Sequence, residues 1–152
     1  MRERGAVRCP PTPPAPVSRE LSRVEGLRLL RNVTFGRIVF ISRAKPTIFL
    51  VSHITDGECL LIGLSHVPEI TALVQRFSHV VYEADVLDVA TRLGWSVVLS
   101  GRAGLVEDPQ ELHQARHRLQ PWPGEQIDVV MRIHPELVTG FSVSAPDAGA
   151  TR

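Results

Sequence analysis

Residues 94–112, GWSVVLSGRAGLVEDPQEL, narrow the possible folds more than any other stretch of this chain. Apolar and polar positions alternate along its first part. Trp95, Val97, Leu99, Gly101 and Ala103 fall on one face of an extended strand, and Ser96, Ser100 and Arg102 on the other. The strand then runs into a helix start. Asp108 supplies an N-cap, Pro109 the first helical position and Glu111 the acid of a capping box.

The remaining punctuation predicts short strands and few helices. Ser22 and Glu25 make a capping-box pair, so a helix is expected from there to Asn32. Gly26 weakens that helix by about 1 kcal/mol relative to Ala, so it must lean on tertiary packing. Strands are expected over 36–42, 47–53, 58–64 and 79–85, over the GWSV segment itself, and over 127–134 and 137–143, the last two hinged at Pro135. Thr55-Asp56-Gly57 carries the positive-φ chemistry of a tight hairpin. A short helix is expected over 67–76 and a third from Pro109 to Leu119. About six to seven strands joined by hairpin-length connections, with two to three short helices, predict a mainly β protein: an antiparallel sheet closed into a barrel. The stretches 37–41 and 59–62 are apolar on both faces. One face can fill the barrel, and the other needs a helix or a second subunit, which points to a homodimer.

The five prolines from Pro10 to Pro16 mark residues 1–18 as a disordered tail, and 144–152 reads the same way, leaving one folded domain over 19–143. No apolar run approaches the roughly 20 residues that span a bilayer, and the N-terminus lacks the apolar core of a secretory signal, so no membrane partner and a cytoplasmic location are expected. Net charge is +1 and the basic residues are scattered, which argues against a nucleic-acid surface. Lys45 is the lone lysine among 17 basic residues, a bias that fits a high-GC bacterial genome. Cys9 and Cys59 are too few for a disulfide framework.

Several landmarks recur together: LRLLRNVTFGRIVF (27–40), Asp56-Gly57, VVYEAD (80–85), GWSVVLSGRA (94–103), Pro121-Trp122 and RIHPELVTG (132–140). In this order and spacing the chain resembles the flavin-binding split-barrel family named for pyridoxamine 5'-phosphate oxidase, over most of its folded length. The resemblance implies a homodimer that holds FMN, or in some relatives a deazaflavin, in an interface crevice and reduces or oxidises a small organic molecule there. It also implies that the flavin contacts fall on Val51, Ser52, His53, Ser65, His66, Trp95, Ser96 and Trp122. In the family a proline, valine and asparagine occupy the positions of Leu50, Val51 and Ser52.

The phosphate positions depart from the family. Ile62 and Gly63 stand where polar or cationic residues are expected, and Pro68 stands in place of a lysine. A phosphate near −2 needs cations or directed N–H donors. Those remaining are Ser65 as an N-cap, His66 and the backbone of the helix that follows. Arg37, Arg43, Lys45, Arg102 and Arg132 are the candidate replacement cations. Two functions follow: a flavin-dependent oxidoreductase, or a flavin-free split barrel that keeps its crevice for another apolar or aromatic ligand between Trp95 and Trp122. A haem-handling protein using His53 or His66 has no motif behind it.

Other chemistry-bearing residues read as structural. His113 and His117 are spaced i, i+4 without an HExxH glutamate or a third ligand at a suggestive spacing, which fits a solvated helix face and no metal. Asp85 and Asp88 read as loop or capping residues. Cys59 reads as a small core residue, and Ser96 and Ser100 lack a GxSxG elbow.

Overall fold

The computed structural model describes residues 15–42, 45–65, 72 and 79–146. Among the described residues, seven strands and two helices run in the order β1 (Val17–Glu20), α1 (Arg23–Leu30), β2 (Phe35–Ser42), β3 (Lys45–Asp56), β4 (Cys59–Leu64), β5 (His79–Leu87), β6 (Gly94–Leu105), α2 (Pro109–Arg118) and β7 (Val129–Ser144). All pairings are antiparallel. The sheet order is β1-β7-β4-β3-β2-β5-β6, and an added β6–β7 pairing closes it into a barrel. The expected antiparallel split barrel is the observed fold.

Local signals place the elements. Ser22 and Glu25 form the full reciprocal capping box of α1, and its hydrogen bonds hold the Glu25 carboxyl down to about 2. Gly26 is no defect in this setting. A Cβ there would stand 2.9 Å from Val138 Cγ1, so its absence lets α1 lie close on β6 and β7. In α2 the Asp108 carboxylate accepts from the Glu111 N–H with Pro109 beside it, as expected. Asp108→Ala should cost about 1 kcal/mol, read as a small drop in the denaturant midpoint at unchanged slope.

Three sequence expectations need correction. First, the segments on either side of Pro135 form one strand, β7. Its register against β6 slips between Ser100 and Gly101, with Gly101 opposite Pro135 and Ser100 opposite Leu137. The ring that cannot donate to the ladder is accommodated by a bulge rather than a hinge. Second, β7 begins at Val129, so Ile127 and Asp128 belong to the preceding loop. Third, Val17–Glu20 is a strand that pairs with Phe141–Ser144, although Val17 and Ser18 fall in the expected tail. The expected helix over 67–76 lies, save for residue 72, outside the described residues.

The barrel interior is filled by inward side chains of the main strands, among them Ile38, Phe40, Leu60, Ile62, Tyr82, Leu99, Met131 and Ile133, with Leu27 and Leu30 of α1 packed into the same cluster. A second cluster explains the two-sided apolarity of β4. Leu61 on its outer face lies under Ala115 and Leu119, with Val106 and Val130. Among the described residues, β2 has no such cover. Its outer face carries exposed Ile41, continued by Ile48 and Leu50 of β3, Val98 of β6 and Leu137 of β7. No helix among the described residues is long and apolar enough to cross a membrane.

Candidate functional site

Strand alternation divides the expected flavin contacts between two faces. Val51, His53 and Trp95 point into the barrel, and Ser52 and Ser96 stand outside it. Trp95 is half-buried against the core cluster, whereas Ser96 donates to Glu83 Oε1 across 3.4 Å. Trp95→Ala should therefore cost about 3 kcal/mol of stability, measured by denaturant unfolding, as expected for an aromatic packed on a core.

His53 is buried, 1% exposed, with both ring nitrogens satisfied inside the protein. The Leu30 carbonyl can only accept, so Nε2 carries the proton and donates to it across 2.8 Å. Nδ1 then accepts from the Tyr82 hydroxyl at 2.5 Å. Burial pushes the His53 pKa below its ordinary value and the Tyr82 phenol above its own. This chain of bonds clamps the end of α1 to β3 and β5.

A small cleft lies where β3 and β4 run side by side. It is lined by Phe49, Leu50, Val51, Gly63, Leu64, Ser65 and Glu125, and its volume is about 90 Å³. Gly63 keeps the floor open to its neighbours. A Cβ there would stand 2.8 Å from both Ser52 Oγ and Ile127 Cδ1. Glu125 belongs to the turn begun by Trp122, whose carbonyl accepts the Glu125 N–H. Trp122 is 47% exposed and meets Phe35 edge to face at 5.1 Å, and Phe35 pairs with Ser52. Val51 and Ser65 thus line the cleft, and Ser52 and Trp122 stand near it through Phe35. Trp95 sits inside the barrel, Ser96 on the outer face of β6, and His66 lies outside the described residues. Phe35 and Glu125 went unrecognised from sequence, because only the β2–β3 register and the 122–125 turn bring them there.

The described lining of this cleft is mostly apolar, with Ser65 and Glu125 as its polar side chains. Among the described residues no cation lines it, and Glu125 adds a negative charge. The candidate replacements are engaged elsewhere: Arg37 with Glu83 and Asp85, Arg102 with Glu136, Arg132 with Asp56 and Glu111. Lys45 begins β3 in an exposed position, and Arg43 lies outside the described residues. A larger hollow of about 380 Å³ lies on the outer face of β6 and β7 beneath Glu111. Its arginines, Arg102 and Arg132, are those same paired residues.

The sequence pattern of the pyridoxamine 5'-phosphate oxidase family matches residues 22–142, from the capping box of α1 to Ser142 in β7. The chain belongs to this family. An uncharacterized protein of Mycobacterium tuberculosis is 40% identical over 132 residues, spanning 83% of this pyridoxamine 5'-phosphate oxidase family member and 86% of the relative. Among solved structures, the FAD-binding protein of Mycobacterium smegmatis superimposes with a TM-score of 0.63 at 25% identity, covering 82% of this chain and 97% of its own. An FAD-binding protein of Mesorhizobium loti reaches 0.70 at 20% identity, over 86% of this chain and 99% of its own, a likeness of fold. The family's pattern therefore spans the barrel from α1 into β7.

Proposed function

We propose that this protein is a flavin-binding homodimer, with the flavin ring against Leu50, Val51 and Ser65 and the redox chemistry of a small organic substrate carried by the cofactor. The observation that carries the reading is the cleft at β3 and β4, which opens beside the uncovered apolar face of β2 and β3. At about 90 Å³ it falls well short of the roughly 300–1,000 Å³ of ordinary ligand sites. A second copy laid on Ile41, Ile48 and Leu50 would deepen it and remove that face from water. Sedimentation should give a dimer, and Ile48→Glu should give a monomer. An Ile48→Glu protein that stays dimeric assigns the interface elsewhere.

FMN and FAD share the ring and differ beyond the first phosphate, and the fold relatives described as FAD-binding favour testing both. The purified protein should show the visible absorption of bound flavin, or gain it after FMN or FAD is added and the excess is desalted away. Trp122→Ala should weaken retention while changing stability by less than about 1 kcal/mol, since Trp122 is largely on the surface. A second reading is favoured by Glu125 and by a lining without a cation among the described residues: a split barrel that has given up the flavin phosphate for an uncharged aromatic ligand. A protein that retains neither flavin selects it.

A further inference from the structure

Helix α2 presents two chemically different faces. Leu112, Ala115 and Leu119 turn inward onto Leu61, Val106 and Val130, which fixes the helix on the barrel. His113 and His117 are exposed on its other side, one helical turn apart. Their rings meet at a centroid distance of 4.3 Å and an interplanar angle of 80°. The two Nε2 atoms face each other at 3.1 Å.

We propose that His113 and His117 form a two-imidazole surface site for a divalent transition-metal ion of the Ni²⁺, Cu²⁺ and Zn²⁺ class. Metal–imidazole bonds of about 2.0–2.1 Å drawn to two nitrogens 3.1 Å apart meet at roughly 100°, between the octahedral and tetrahedral angles. The donor atoms are therefore already at chelating distance, with no rotation of the backbone required. In the metal-free protein one Nε2–H donates to the other Nε2. On binding, that proton moves to Nδ1 of the same ring, both Nε2 lone pairs face the ion, and water fills the other positions. Imidazole nitrogen is the donor these borderline ions prefer, and it discriminates against Mg²⁺ and Ca²⁺. The neighbouring guanidiniums are drawn aside, Arg116 to the Asp128 carbonyl and Arg118 to the Thr55 carbonyl at 3.1 Å. The site is independent of the flavin reading and lies on a different element from the β3–β4 cleft.

The test is calorimetric titration of the full-length, untagged protein with NiCl₂, repeated on His113→Gln, His117→Gln and Cys59→Ser. The third variant is included because Cys59 Sγ lies 3.2 Å from His134 Nδ1 and could compete for the ion. The expected result is one Ni²⁺ per chain, weakened about tenfold or more by either histidine substitution and unchanged by Cys59→Ser. Both histidines are on the surface, so the variants should fold as the parent does, which circular dichroism checks. Wild-type protein that takes up no Ni²⁺ at millimolar concentration would overturn the proposal. Weakening by only one of the two histidine variants, or by Cys59→Ser in their place, would overturn it equally.

Discussion

Gly94→Ala should destabilise the barrel by about 3–5 kcal/mol, while Gly104→Ala, in the same strand, should change stability by less than about 0.5 kcal/mol. Gly94 opens β6 opposite Leu87 with φ +143°, a conformation that disfavours any side chain, and an added Cβ would collide with the Val86 carbonyl. Relief requires the ends of β5 and β6 to separate, which breaks ladder bonds beside the half-buried Trp95. Gly104 has open space where its Cβ would go. For a domain of this size the first substitution should lower Tm by about 10–15 °C, measured by scanning calorimetry. Equal melting of the two variants would show that the β5–β6 end yields at little cost.

The second large effect is a loss of stability in acid, centred on His53. Its folded pKa lies below the unfolded value because burial penalises the imidazolium. The unfolded chain therefore binds a proton that the folded chain refuses. This contribution is fully present above the unfolded pKa, near 6.5, and is lost as pH falls from there toward the folded pKa. Each unit of pH in that window should cost up to about 1.4 kcal/mol from this one group. Urea midpoints taken from pH 7.5 to pH 5 should fall accordingly, and the steepness should lessen in His53→Gln. Tyr82→Phe should cost about 1–3 kcal/mol at neutral pH, because it leaves the buried Nδ1 without its donor. An unchanged pH slope in His53→Gln would place the acid sensitivity on other groups.

His53 also marks where reading the sequence reached its end. Its position at the close of an expected strand made it a candidate flavin contact. Nothing in the neighbouring residues says that Tyr82, 29 positions on, will meet one ring nitrogen and Leu30, 23 positions back, the other. The candidate site divides in the same way. That Trp95 and Ser96 face opposite sides is a period-of-two argument, available from the sequence alone. That Glu83 stands beside Ser96, and that Phe35 meets Trp122, depends on strand register.

Features controlled by a few consecutive residues are legible in the chain alone. The Ser22–Glu25 box, the Asp108–Pro109 helix start and the alternation of β6 are all of this kind, because capping and pleat are interactions over one to four positions. Gly57 is another: with φ +62° it turns β3 into β4. Asp88 is a fifth, accepting the Thr91 N–H at 2.8 Å as the expected loop residue. The tertiary structure alone decided the bulge at Pro135, the recruitment of Val17–Glu20 as a strand, and which apolar outer face is covered. Leu61 lies under α2, while Ile41 and Ile48 remain open. Each of these depends on pairing between residues far apart in the chain, where the free energy belongs to the register of whole strands rather than to any local run.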